Sequence, residues 1–146
     1  MASTISYKNA ASVSQTLRAY LRGDDRVKAV TVDPASEGGL LAYRNLDLGT
    51  TGQVVKASAG QLYGWYLANA STSTRYVKIY DKATAATTSD TPVLTIALPG
   101  SAAANCVFPM GIEFDNGISA RATTGIADAN SDAPSTNDVL VNLMYF

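Results

Sequence analysis

The sequence predicts an all-β protein, an antiparallel β-sandwich of jelly-roll-like type preceded by an N-terminal arm that contains a short helix. Three observations favour this fold class. Short runs rich in β-branched and aromatic residues recur from residue 29 to residue 145, and turn-forming residues bound each of them. No helical period separates these runs, as it would in a parallel sheet. The chain of 146 residues is long enough to bury one core without disulfides or a metal ion.

The N-terminal residues carry a different pattern and a different charge. Residues 14–22, SQTLRAYLR, together with Val13, place apolar side chains at the spacing of a short amphipathic helix. Residues 1–28 hold five basic and two acidic residues, a net charge of +3, whereas the remaining residues hold six basic and ten acidic residues, a net charge of −4. We therefore predict an arm of residues 1–47, with the helix near 14–22, and a sandwich of residues 48–146.

The predicted strands follow one another at short intervals after this helix. They comprise residues 29–32, 46–48, 53–57, 61–68, 75–81, 93–98, 107–114, 117–123 and 139–145. Asp115, Asn116 and Gly117 lie between two of these apolar runs, and an Asn-Gly pair accepts the positive φ angles of a two-residue turn. The strands on either side of this turn are therefore predicted to pair as a hairpin.

The segment RYVKIYDKA, residues 75–83, concentrates charged and aromatic side chains. On a strand, Val77 and Ile79 share one face, which we predict to be the sandwich interior. Tyr76, Lys78 and Tyr80 share the opposite face, where the tyrosine rings can cover the aliphatic stem of the lysine. This arrangement indicates an outer surface and not a reaction centre, and the row of three is a candidate contact surface for a neighbouring subunit.

A second aromatic group lies in the strand predicted over residues 61–68. Tyr63 and Trp65 point to one side of this strand and Tyr66 to the other, so both sides are apolar or aromatic. One side is expected in the core. The other is either buried within the same subunit, or forms a subunit interface, or is a stacking platform for a sugar ring. The candidate interface residues are Tyr63, Trp65, Tyr66, Tyr76, Lys78 and Tyr80.

Composition removes several classes of function. The chain has no histidine, which excludes Ser-His-Asp and Cys-His nucleophile pairs, histidine-based zinc sites and the commonest proton shuttle near neutral pH. The single cysteine, Cys106, can form no internal disulfide and is expected to be a small buried apolar residue. A net charge of −1 and the lack of a long apolar run make nucleic acid and membrane unexpected partners. The first residues lack a secretory signal, so we expect the chain to stay in the cytosol where it is made.

One acidic group has the spacing of a calcium-binding loop. Asp128, Asn130 and Asp132 occupy its first, third and fifth positions. However, the sixth position is Ala133, where a tight loop needs Gly, and the twelfth is Val139, where it needs a bidentate Glu. A solvated surface loop explains the spacing more simply, and we expect no metal ion.

A possible carboxylate pair, Glu113 and Asp115, lies two residues apart near the predicted hairpin turn. The two side chains share one face of a strand, but alternation with apolar residues explains them as the outer positions of a half-buried strand. No histidine is available as an acid-base partner. We therefore expect no catalytic residue and no cofactor, and we predict that the protein is not an enzyme.

Several segments within residues 53–146 occur in an order that resembles a known family. They read LYGWYLAN, RYVKIYDKA, DTPVLTIALPG, GIEFDNGISARATTG and VLVNLMYF. This order is similar to that of small β-sandwich proteins from the structural modules of tailed bacteriophages, and the nearest assignment is a head decoration (cement) protein of jelly-roll type. Residues 1–47 carry no matching motif.

The resemblance implies a structural virion protein that trimerises on the outer capsid surface and stabilises the shell against internal pressure. Its expected partners are the major capsid protein and further copies of itself, and it is expected to be made in the host cytoplasm. Multivalent attachment would multiply weak contacts. The alternative is a glycan-binding module of a head fibre or tail. The basic arm is a candidate capsid contact, through Lys8, Leu17, Arg18, Tyr20, Leu21, Arg22, Arg26 and Lys28.

Overall fold

The computed structural model describes residues 3–8, 14–19 and 39–146. The chain separates into two compact units, Met1–Pro34 and Ala35–Phe146. In the first unit, strand β1 (Ser3–Lys8) pairs with strand β2 (Ser14–Ala19) in an antiparallel ladder. Ile5 is the Cα partner of Leu17 at the middle of this ladder.

The predicted helix near residues 14–22 is therefore corrected over residues 14–19, which form strand β2. A single short helix has an unfavourable nucleation step and few hydrogen bonds to offset it, whereas a neighbouring strand supplies a complete backbone ladder. Residues 3–8, STISYK, alternate polar and apolar side chains and provide that neighbour. Residues 20–22 of the predicted helix lie outside the described residues.

The second unit contains eight strands, and its described residues contain no helix. They are β3 (Leu41–Asn45), β4 (Gln53–Lys56), β5 (Gly60–Asn69), β6 (Arg75–Asp81), β7 (Leu94–Leu98), β8 (Ala102–Phe114), β9 (Ile118–Thr123) and β10 (Val139–Tyr145). The all-β prediction is confirmed for the residues described. The boundary between the units falls before β3, earlier than the predicted boundary after residue 47, because β3 pairs with β10.

The strands form two antiparallel sheets of four strands each. Sheet I has the order β3-β10-β5-β8, and sheet II has the order β4-β9-β6-β7. Successive strands alternate between the two sheets except at β6 and β7, which are neighbours in sheet II. The arrangement is consistent with a β-sandwich, in which alternate side chains of each strand enter a shared core.

One hydrophobic core draws on both sheets. Val77 and Ile79 of sheet II are fully buried, as the alternation of RYVKIYDKA predicts, and Leu67 and Val141 bury the corresponding side of sheet I. The remaining buried members are Leu48, Val55, Leu62, Trp65, Leu98, Phe114, Ile118, Ala120, Ala122, Val139 and Leu143. Burial of each large apolar side chain stabilises the fold by about 1.5–3 kcal/mol, so this core is the main favourable term in the folding free energy.

Most strand positions predicted within residues 39–146 agree with the structure, but one does not. Residues 46–48 are not a strand; Leu48 instead donates its amide N–H to the carbonyl oxygen of Val139 at 3.0 Å and places its side chain in the core. The strand of this region is β3, which begins at Leu41. The strand predicted over residues 29–32 lies outside the described residues.

The predicted hairpin at the Asn-Gly pair is wrong, because the two strands beside it belong to different sheets. β8 pairs with β5 of sheet I, whereas β9 pairs with β4 and β6 of sheet II. The Asp81 carboxylate holds the crossing by accepting hydrogen bonds from the Asn116 amide at 2.7 Å and the Gly117 amide at 3.2 Å. These bonds, the Asn116 amide first, lower the pKa of Asp81.

Candidate functional site

The outer face of sheet II is covered by the chain's own loop. Lys78 and Tyr80 of β6 and Arg121 of β9 are all buried there. The Lys78 ammonium group donates hydrogen bonds to the carbonyl oxygen of Ala127 and, at 3.4 Å, to that of Asp128. The loop that follows β9 is thus attached over the middle of this face by buried cations.

Burial and a neighbouring positive charge both lower the pKa of Lys78. Desolvation by burial and, second, the Arg121 guanidinium lower the pKa of Lys78 below the ordinary lysine value, while the Asp128 carboxylate raises it. Lys78 and Arg121 are Cα partners across β6 and β9, a position where two like charges repel. Burial likewise raises the pKa of Tyr80, whose hydroxyl has no hydrogen-bond partner among the described residues.

The predicted contact row of Tyr76, Lys78 and Tyr80 is therefore corrected. Lys78 and Tyr80 face away from the core as predicted, but the loop covers them, and they are not available to a neighbouring subunit. Tyr76 is half-buried. The alternation of the strand identified the correct side of the sheet, and only the later loop, about fifty positions away in sequence, determines what covers it.

The side chain of Asn130 stabilises the backbone of this loop. The Asn130 side-chain oxygen accepts the Gly125 amide at 3.1 Å, and its amide group donates to the Asp132 carboxylate at 2.9 Å. Glycine is favoured at Gly125 because an added Cβ would lie 2.6 Å from the Asn130 side-chain nitrogen. Within residues 39–146 no group of three acidic or thiol side chains is arranged to hold a metal ion. The side chain of Asn130, the central residue of the calcium-like spacing, is thus part of a turn.

The outer face of sheet I carries mostly small and apolar residues. Three cross-strand rows define this sheet I face: Ala42, Met144, Gly64 and Val107; Arg44, Asn142, Tyr66 and Asn105; and Leu140, Ala68 and Ala103. Tyr66 is 47% exposed, and Val107 is 74% exposed at the edge formed by β8. Arg44 is the one charged residue in these rows, so the face has little electrostatic cost of desolvation.

Beside this face, residues 108–111 of β8 form an arch. Leu62 pairs with Ile112 and Gly64 with Val107, so the four arch residues stand opposite Tyr63 alone. Gly111 closes the arch with a positive φ of 72°, a conformation that glycine adopts without strain. The arch also contains Pro109, which is typical of edge strands because proline donates no ladder hydrogen bond.

The arch brings one further apolar side chain to the surface. Met110 at its tip is 81% exposed, and Val107 lies at its base. Sequence reasoning did not select either residue, although Pro109 and Gly111 within a predicted strand were a signal of irregular pairing. The sheet I face and the arch together form the apolar surface.

The aromatic candidates on β5 divide between the core and this surface. Trp65 is buried and packs against Phe108, with ring centroids 5.1 Å apart. Tyr63 is half-buried and donates its hydroxyl hydrogen to the side-chain oxygen of Gln61. Tyr66 is the exposed member and lies within the sheet I face. Trp65 is therefore corrected from interface candidate to core residue, and Tyr66 remains.

The remaining sequence candidates occupy ordinary structural positions. Cys106 is a free, half-buried thiol that packs against the core from β8. Glu113 and Asp115 are exposed, as predicted, and line a pocket of about 340 Å³ with Lys56 and Phe146. The Lys56 ammonium nitrogen lies 5.9 Å from the centroid of the Phe146 ring. The two carboxylates thus share the wall of this pocket with a lysine.

The arm candidates are described only in part. Lys8 is the Cα partner of Ser14, and Arg18 that of Thr4, in the β1–β2 ladder. Leu17 lies in β2 as the Cα partner of Ile5. Tyr20, Leu21, Arg22, Arg26 and Lys28 lie outside the described residues.

Comparisons with known proteins complete the description of the surface. In the part of the chain that the structure describes, no helix is long and apolar enough to cross a membrane. No protein-family model, no curated protein and no solved structure matches this chain.

Proposed function

We propose that this protein is a structural component of a tailed-bacteriophage virion, a decoration or cement protein that binds the outer surface of the head and stabilises the shell. The observation that carries the proposal is the apolar surface around Tyr66, Val107 and Met110. A protein of this kind acts through buried area and symmetry and needs no reaction centre. We propose accordingly that it is not an enzyme and uses no cofactor.

The strand order supports a jelly roll as the finer description of the fold. A jelly roll has eight strands in two antiparallel sheets, with the chain passing between sheets in Greek-key connections. The orders β3-β10-β5-β8 and β4-β9-β6-β7, with the chain changing sheet after nearly every strand, support this proposal. Viral capsid proteins are among the proteins that use this architecture, which supports the assignment by analogy of fold.

We assign self-association to the apolar surface, where a homotrimer is the expected assembly. The two outer faces differ in a way that supports this choice, because a loop covers sheet II and leaves Lys78 and Tyr80 buried, whereas Tyr66 and Val107 of sheet I stay exposed. Exposed apolar side chains grouped on one face are typical of interaction sites. We therefore assign the subunit contact to the outer face of sheet I and no longer to the row of Tyr76, Lys78 and Tyr80 on β6.

The basic arm is the proposed capsid contact. It carries a net charge of +3 over residues 1–28, against −4 over the remaining residues. Residues of one sign concentrated in one segment accelerate encounter with an oppositely charged surface and make the binding sensitive to salt. Removal of residues 1–28 should therefore weaken head binding and reduce its salt dependence, while leaving the trimer contact on sheet I intact.

The self-association claim is tested with a single charge on the apolar surface. Val107→Asp places a carboxylate in the proposed contact, which should convert the trimer into monomers with the mass of the 15.3 kDa chain. Val93→Asp is the matched control, because Val93 is also an exposed valine but lies outside the apolar surface. The measurement is mass by light scattering after size exclusion. A wild-type monomer, or equal behaviour of the two variants, would contradict the assignment.

The glycan-binding alternative retains one supporting observation. Tyr66 is exposed, and its cross-strand neighbours on the same face are Asn105 and Asn142, so an aromatic ring lies between two amide groups. Aromatic rings stack on sugars, and amides donate and accept hydrogen bonds with hydroxyl groups. Because Trp65 is buried, the useful readout is binding of oligosaccharides to wild type and to Tyr66→Ala. Binding that Tyr66→Ala abolishes would favour this alternative.

A further inference from the structure

The guanidinium group of Arg121 is buried but makes few hydrogen bonds. Arg121 is 1% exposed, and its one hydrogen bond within residues 39–146 runs from Nη2 to the carbonyl oxygen of Asn130. Its Nε atom is buried without a hydrogen-bond partner among the described residues. A guanidinium has five N–H donors, and a buried donor that stays unpaired costs about 1–3 kcal/mol.

A second buried cation, Lys78, lies beside Arg121, so two positive charges are buried together. Lys78, opposite Arg121 in the ladder, is fully buried and donates its hydrogen bonds to backbone carbonyls. The ion pairs among the described residues are Arg75 with Asp138 and Lys82 with Asp90, so neither buried cation has a paired carboxylate there. Two neighbouring buried charges of one sign are strongly unfavourable unless an opposite charge joins them.

Arg121 borders a pocket in the protein surface. Arg121 forms part of the wall of a pocket of about 390 Å³, within the size range of small-ligand sites. Hydroxyl residues supply most of the remaining wall: Thr50, Thr51, Thr87, Thr88 and Ser131. Hydroxyl groups donate hydrogen bonds to anions and add no competing negative charge. The pocket contains no acidic residue among those that line it.

We propose that this pocket is a binding site for a small oxyanion, of the class of phosphate, sulfate or a carboxylate. The guanidinium fork of Arg121 matches the paired oxygens of such an anion, and the charge of the anion offsets the two buried cations. Thr50 and Thr51 on one loop and Thr88 on another supply hydroxyl groups to complete the coordination, whereas the Thr87 hydroxyl donates to the Asp90 carboxylate, which also accepts from Lys82. The occupied site joins the loop before β4 to the loop between β6 and β7.

Binding is tested on the purified full chain with inorganic phosphate as the probe. Calorimetric titration and the thermal unfolding midpoint are measured at constant ionic strength, with chloride replacing phosphate. Sulfate and acetate arms distinguish a tetrahedral oxyanion from a carboxylate. We expect saturable binding and a midpoint that rises with phosphate concentration, since a ligand that binds the folded state stabilises it. A midpoint and heat signal that do not change with phosphate, sulfate or acetate would overturn the proposal.

Variants then locate the site. Arg121→Gln should weaken phosphate binding by about tenfold or more, because it removes a charged hydrogen-bond donor group. Arg75→Gln is the matched control, because Arg75 pairs with Asp138 and is not among the residues that line the pocket, and this variant should bind phosphate as wild type does. Equal affinity in wild type and Arg121→Gln would overturn the proposal. If Arg121→Gln does not fold, Thr50→Val decides, and affinity unchanged by that substitution would overturn it equally.

Discussion

The side chain of Asn69 joins the two sheets at one end of the sandwich, and its replacement is the sharpest test of the fold. Asn69 is the last residue of β5 and is 3% exposed. Its amide nitrogen donates to the carbonyl oxygens of Ser73 at 2.9 Å, Leu98 at 3.0 Å and Pro99 at 3.0 Å. Its side-chain oxygen accepts the Ser71 amide at 3.0 Å.

The cost of Asn69→Ala follows from these contacts. The Leu98 carbonyl oxygen is a buried acceptor, and leaving such a group unpaired costs about 1–3 kcal/mol. The other three contacts are partly exposed, so water replaces them and each contributes about 0.5 kcal/mol. The expected loss in the free energy of unfolding is therefore about 2.5–4.5 kcal/mol.

Urea denaturation of wild type and variant measures this loss directly. Thr91→Ala is the control, because Thr91 is an exposed polar residue in the loop before β7, and its loss should stay within about 0.5 kcal/mol. A loss below about 1 kcal/mol for Asn69→Ala, or equal losses for both variants, would refute the reasoning, since no buried acceptor would then depend on this side chain.

Two further predictions concern a close backbone approach and a surface carboxylate. Gly52→Ala should lower the free energy of unfolding by about 1–3 kcal/mol, because an added Cβ would lie 2.2 Å from the Ala86 carbonyl oxygen. Gly49→Ala, with nothing within 4 Å of its added Cβ, is the control in the same urea assay. Asp90 has its pKa lowered to about 2, chiefly by the hydrogen bond from Lys82, so its stabilising effect is present above pH 3.8 and is lost as the pH falls through about 2. The stability difference between wild type and Asp90→Asn should therefore vanish over that interval in acid titrations followed by circular dichroism, and a difference that persists below pH 2 would contradict this origin.

The strands of sheet II show why so much of the fold was predictable. Residues 75–81 alternate apolar and polar side chains, and the structure has β6 at these residues, with Val77 and Ile79 in the core. Successive side chains of a strand point to opposite faces of the sheet. Apolar residues at every second position therefore mark the face that enters the core. The same reasoning placed β10 at residues 139–145.

The covering of each face was not predictable, because it depends on residues distant in sequence. Lys78 has a polar side chain on the outer side of its strand, and only the Ala127 carbonyl oxygen, 49 positions later, makes it a buried anchor. The turn at Asn116 failed as a hairpin for the same reason, since the Asp81 carboxylate that holds it lies 35 positions earlier. Local propensity determines that a turn forms there, and long-range contacts determine which sheet the chain enters next.

Tyr66 of the apolar surface was predicted, but Val107 and Met110 were missed because they lie at irregular pairing. Val107 and Met110 lie in a run that reads as a buried strand, and the arch that exposes Met110 is a property of how β8 pairs with β5. A change in pairing alters which side a residue faces, so a few unpaired residues can turn an apparent core segment outward.

The most direct test of the proposed function is co-sedimentation of the purified full chain with isolated heads of the tailed bacteriophage that the proposal assigns as its source. The proposal predicts that the protein sediments with expanded heads in many copies per particle and does not sediment with procapsids. Val107→Asp, measured beside the Val93→Asp control, should lose much of this binding, because monomers lack the gain from multivalent attachment. Protein that stays in the supernatant with expanded heads, at concentrations where it is a trimer, would contradict the assignment as a decoration protein.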